Sequence, residues 1–220
     1  MKKFNKILKL LTWNNQSFPI GSYCFSSGLE FAVESKLIQS GKDLQYWLND
    51  LLKYGSLYSD ALILLEAWKL ASKKENNKIN DLNNFAVSLN QSNEKYIENY
   101  EQGKSFIKIT EDAWNHKYIS KKLVYPIAYA VAAVQENINM EDVLICYLHS
   151  SLCNLLAAGI KLIPLGQTEG QKIQIALNTY IEEEYKNILK KNFNDIGNCG
   201  WVNDIISMKH ENQFTRIFRT

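Results

Sequence analysis

The chain has 220 residues, 46% of them hydrophobic, with 25 basic and 23 acidic side chains and a formal net charge of +2. That length buries the core of one large domain, and the near-balance of charge supplies no average field that would draw nucleic acid or an anionic membrane. Four scattered cysteines, and an N-terminus without an apolar stretch running into small residues, point to a reduced, cytoplasmic setting rather than a disulfide-stapled secreted one.

Apolar positions recur with helical rather than strand spacing, and prolines occur only at 19, 126 and 164. The expectation is an all-α, single-domain helical bundle spanning 1–220. In chain order, the first distinctive segment is Phe18-Pro19-Ile20-Gly21-Ser22-Tyr23-Cys24-Phe25-Ser26-Ser27-Gly28-Leu29-Glu30. Here a proline-glycine turn runs into a helix start, and Ser27 and Glu30 have capping-box spacing. Tyr23 and Phe25 would either face a partner or staple into the core. Leu44, Trp47, Leu48, Leu51 and Leu52 form one stripe, which Ala61, Leu64, Leu65 and Trp68 continue. The Asn/Lys-rich stretch 73–81 reads as a solvated loop before a short helix at Leu82, Phe85, Ala86 and Leu89. Another helix carries Tyr96, Ile97, Tyr100 and Ile107, with Gly103 on the same face allowing a close helix approach.

Pro126 fits the first turn of a helix over 126–135. Segment 143–163 is apolar on almost every side and reaches membrane-spanning length, but it contains His149, Ser150, Ser151 and Asn154, so a central helix buried by protein is expected rather than a span. Pro164-Leu165-Gly166-Gln167-Thr168-Glu169-Gly170-Gln171 then forms a polar turn. Thr168 or Glu169 would cap the following helix, and Gly166 would supply an angle that β-branched residues avoid. Ile173, Leu177, Tyr180, Ile181 and Ile188 make that helix amphipathic. Trp201, Val202, Ile205, Ile206 and Met208 mark a last docked helix, followed by a mobile tail from about residue 210 with little core contact. Arg216 and Arg219 are the only arginines, and a planar guanidinium in such a tail suits an interface.

Chemistry is sparse. Cys146, His149 and Cys153 share one helix face and form a metal-like trio, but free cysteine behaves as a small buried hydrophobe and no fourth ligand accompanies them, so the core reading is preferred. His116 and His210 are isolated. No nucleophile elbow is present. Gly103-Lys104-Ser105 lies mid-helix without the upstream glycine of a phosphate loop. The expectation is therefore no catalytic residue and no stably bound cofactor. The competing reading is a helical-bundle enzyme with a small-molecule pocket, using Cys146 or His149.

Four segments, FPIGSYCFSSGLE at 18–30, EQGKSF at 101–106, NLLAAGIKLIPLGQTEGQ at 154–171 and HENQFTRIFRT at 210–220, make the chain resemble the urease accessory protein UreF family. The resemblance implies an all-helical protein that dimerises and has no catalysis of its own. It implies joining the UreD/UreH accessory protein and recruiting the GTPase UreG, so that the complex delivers nickel to apo-urease. By position, Tyr23 and Arg216 would order the C-terminus for that recruitment. Gly28, Glu30, Gln167, Thr168, Glu169 and Gln171 match the family's two signature turns and, with Arg219 of the tail, complete the expected partner-binding set.

Overall fold

The computed structural model describes residues 2–220, which form ten α-helices and no strand. In order these are α1 (Lys2–Trp13), α2 (Leu29–Glu34), α3 (Gly41–Lys53), α4 (Ser56–Ser72), α5 (Asn76–Ser88), α6 (Asn93–Trp114), α7 (Tyr125–Gln135), α8 (Met140–Leu162), α9 (Gln167–Ile188) and α10 (Trp201–His210). Several starts are fixed by local side chains. Ser40 accepts from Asp43 N at 3.2 Å, Ser92 from Lys95 N at 3.0 Å and Asn139 from Asp142 N at 2.8 Å, each satisfying a donor that the first helical turn leaves free.

The all-α bundle has one continuous apolar core. Its centre is α4 against α7, with α6 on α7, α8 on α9 and α9 on α3. Helix α7 begins with Pro126 in its first turn and buries Ile127, Ala128, Tyr129, Ala130, Ala132 and Ala133. Small side chains on nearly every side let its neighbours approach. Gly103 of α6 lies against that start: a Cβ there would run into the Leu123 carbonyl oxygen and sit 2.9 Å from Tyr125 N. Trp13 of α1 is held edge-on by Phe106, Trp114, His116 and Tyr129, with centroid separations of 5.6 to 6.2 Å.

Two local expectations are corrected, and one helix was not anticipated. Helix α5 starts at Asn76, inside the stretch read as loop, because Ile79 and Leu82 bury its inner face whatever the polarity of the outer one. Helix α1 carries no proline, glycine or cap signal, and it docks through Leu10 and Trp13. Helix α8 is not enclosed on all sides: Glu141, Ile145 and His149, four residues apart, remain exposed. It is long and apolar enough to cross a bilayer, yet 56% of its most apolar window is buried, against α2, α3, α4 and α9.

Candidate functional site

The first motif folds as a 3₁₀ turn over Ser22–Cys24 leading into α2. Gly21 at φ 75° and Gly28 at φ 78° take left-handed angles that glycine adopts without a Cβ clash. Gly28 has a second requirement, since a Cβ would meet the Ser207 backbone at 3.0 Å where α2 packs on α10. The two aromatics divide: Phe25 is buried and Tyr23 is 62% exposed. The expected capping box does not form. Ser27 Oγ donates to Glu98 Oε2 at 2.8 Å, and the Glu30 side chain turns to the other end of the chain.

That other end is docked, which corrects the expectation of a tail with little core contact. Arg219 N donates to Cys24 O at 2.8 Å and Ser26 N to Thr220 O at 2.6 Å, a short ladder between the tail and the first motif. Ile217 N and Phe218 N donate to the two oxygens of Glu30 at 2.7 and 3.0 Å. Phe218 and Thr220 are buried. His210 is 0% exposed. Its Nδ1 lies 2.7 Å from Glu94 Oε2 and its Nε2 3.3 Å from Glu30 Oε2. Arg216 Nη1 reaches Glu94 Oε1 at 3.1 Å. Ser207 and Ser92 share a bond of 2.7 Å, and Glu211 Oε1 accepts from Asn93 N at 2.8 Å. The tail is therefore part of the fold, closed by polar bonds that its own residues could not make alone.

What the docked tail leaves outside is largely apolar. Phe214 is fully exposed, Ile217 is 74% exposed and Trp201 73%, with Val202, Ile205 and Met208 also open on α10. Tyr23 and Arg219 line one shallow hollow with Pro19 and Glu101. Arg216, which the resemblance names with Tyr23 as ordering the C-terminus, engages Glu94. Arg219 is the arginine beside Tyr23.

The turn after α8 is separate from this region. Ile163 is extended at φ −108°, ψ 137° ahead of Pro164. Gly166 caps α9 with an ordinary φ of −70° and no side-chain cap, so neither Thr168 nor Glu169 serves as the cap, and a Cβ on Gly166 would meet nothing. Gln167, Thr168, Glu169 and Gln171 are exposed. Glu169 lies against the start of α3, where Gly41 leaves it room and the positive end of the helix favours a carboxylate. Among the described residues, no hydrogen bond or ion pair joins this face to the tail.

The cysteine-histidine trio does not converge. Cys153 Sγ lies 3.6 Å from the His149 ring and donates to Gln174 Oε1 at 3.2 Å, but among the described residues no three His, Cys, Asp or Glu side chains are grouped to hold a metal ion. Cys146 and His149 open onto a groove with Ile7 and Leu11 of α1 and Ile181 of α9. Burial pushes both the Cys146 and Cys153 thiols up to about 11 and lowers His149. A protonated thiol is a poor nucleophile, which counts against an enzyme built on Cys146. His116, also read as isolated, is buried and pairs with Glu136 Oε1 at 2.9 Å.

Sequence comparison agrees with the segments described above. The family model for UreF matches residues 38–178. Proteins named urease accessory protein UreF align along nearly the whole chain. The one from Rhodopseudomonas palustris strain BisA53 is 30% identical, covering 97% of this chain and 93% of its own length. That from Bradyrhizobium sp. strain BTAi1 is 32% identical over 97% and 92%, and that from Bradyrhizobium diazoefficiens is 32% identical over 97% and 91%. These alignments reach beyond the family-model match into both the first motif and the tail.

Proposed function

The chain belongs to the UreF family, and from that membership we propose that it is a non-catalytic adaptor in urease maturation. It binds the UreD/UreH accessory protein, recruits the GTPase UreG, and so brings nickel to apo-urease through the complex rather than on a site of its own. It works in the cytoplasm, as a homodimer, and by differential binding: whichever partner state fits the displayed surface better is the state that persists.

One observation carries this reading. The first motif spends its polar groups on the C-terminal tail, and the docked tail then displays Phe214 and Ile217 to solvent, as α10 displays Trp201 and Val202. Large apolar side chains held on a fixed backbone suit a protein partner. The exposed Gln167–Gln171 face is proposed as a second contact. Neither surface contains a grouping suited to bond-making chemistry.

The test is capture of purified UreD/UreH and UreG by the full chain at about micromolar concentration, the range in which a standard interface holds. Retention of both supports the adaptor. Passage of both through the column unbound would overturn it.

A further inference from the structure

Four ionisable side chains from four parts of the chain meet where the tail docks: Glu30 of α2, Glu94 of α6, His210 at the end of α10, and Arg216 of the tail. An ionised carboxylate can only accept hydrogen bonds, and a ring nitrogen facing one must therefore carry hydrogen. His210 has a carboxylate oxygen on each nitrogen, at 2.7 and 3.3 Å, and no exposed surface. Both nitrogens must be protonated for both contacts to be hydrogen bonds. In that state the two carboxylates are balanced by imidazolium and guanidinium. With one proton removed, a nitrogen lone pair would face a carboxylate lone pair away from water, and the cluster would carry an uncompensated negative charge.

The tail hangs on the same atoms. Glu30 Oε2 faces His210 and also accepts from Phe218 N, while Oε1 accepts from Ile217 N. Neighbouring charges are engaged elsewhere. Lys95 of α6 pairs with Asp60 at 2.8 Å, Glu98 accepts from Ser27, Glu211 accepts from Asn93 N and Glu34 from Gln213. Asp204 and Lys209 on α10 itself form no ion pair among the described residues. Among the described residues, only His210 and Arg216 form ion pairs with Glu30 or Glu94.

We propose that His210 is a proton-dependent latch: its doubly protonated ring holds the C-terminal tail on the first motif, and loss of one proton releases it. Burial of the ring opposes charging, but hydrogen bonds and attraction from Glu94 and Glu30 outweigh it, so the imidazole titrates above its ordinary value of 6.5. A group raised on docking favours the docked tail fully below its undocked value and loses that contribution as pH rises through the docked one. Within that window the docking equilibrium weakens about tenfold per pH unit, the slope for one proton. The latch itself needs only the geometry of this chain. Its consequence, weaker UreG recruitment as pH rises, rests on the adaptor reading.

The experiment is amide hydrogen exchange of the full-length chain, followed residue by residue from about pH 6 to about pH 9 and normalised for the intrinsic base catalysis of exchange. Protection at Ile217, Phe218 and Arg219 should fall with pH about tenfold per unit across the window, while core amides such as Leu64 and Ala128 keep theirs. In His210→Gln, tail protection should be low already at the acid end and independent of pH. Tail protection that stays flat in the wild type overturns the proposal. Should His210→Gln not fold, the wild-type His210 ring proton followed by NMR decides: a midpoint above 6.5 supports the latch, and one at or below it overturns it. A pH-dependent tail in a chain that captures neither UreD/UreH nor UreG would sink the adaptor reading and leave the latch standing.

Discussion

Glu30 illustrates how one buried carboxylate ties distant parts of the chain together. Its oxygens accept from two tail amides and face His210, so Glu30→Gln keeps the volume but turns one acceptor into a donor aimed at other donors. Removing a charged acceptor from buried partners costs about 1 to 3 kcal/mol, and we expect thermal unfolding to move down accordingly, with faster exchange at Ile217 and Phe218. An unchanged melting curve would show that the tail is not coupled to the fold. Glycines separate in the same way. Gly28→Val forces a β-branched side chain to a φ of 78° and into the Ser207 backbone, a strain of about 1 to 3 kcal/mol or more, whereas Gly166→Val meets an ordinary angle and open space and should shift stability by no more than about 0.5 kcal/mol. Chemical denaturation of the pair checks both, and equal losses would contradict the assignment. The thiols of Cys146 and Cys153, held near 11, should react with a disulfide reagent at neutral pH far more slowly than a free cysteine, because the thiolate is the attacking species.

Among the elements, the junction of α6 with α7 is the tightest contact that a single atom can probe. Gly103→Ala places a methyl against the Leu123 carbonyl oxygen and the Tyr125 amide. Backbone cannot yield as a flexible side chain does, and overpacking of this kind costs about 1 to 3 kcal/mol. A fully stable Gly103→Ala variant, judged by urea denaturation, would mean that α7 can slide away from α6. The apolar stripes of α3, α4 and α9 were legible from sequence because each has a dry face and a wet one at helical spacing. Helix α1 was not, since lysines separate Leu10 and Trp13 from any recognisable cap. The start of α5 was hidden by asparagines that lie on its outer face. The site was half legible: the motifs that carry it were visible, but the docking of the tail depends on contacts such as Glu30 to His210, 180 residues apart. Local spacing carries no trace of such a bond, and a polar segment with two arginines therefore reads as a free end.

At the scale of the molecule, the core of α4, α6, α7 and α8 provides rigidity, while α10 and the docked tail present an exposed apolar surface. If that surface serves partners, its exposed apolar residues should matter for capture and little for folding. Trp201→Ser combined with Ile205→Ser removes side chains that are 73% and 49% exposed, so stability should change by no more than about 0.5 kcal/mol per site. Arg216→Ala removes a partly exposed ion pair to Glu94, and solvent screening limits its loss to about 1 kcal/mol or less. Both variants should nevertheless retain less UreG or UreD/UreH than the wild type in the same capture assay, and each reports a different part of the surface. The α10 variant tests direct contact, because nothing in the fold leans on those faces. Arg216→Ala tests presentation, because the guanidinium helps balance the carboxylates that hold the tail; higher salt, which screens exposed charge, should weaken the wild type toward it. Two variants that fold normally and capture partners as well as the wild type would place the docking face elsewhere, with the exposed Gln167–Gln171 turn the next surface to substitute.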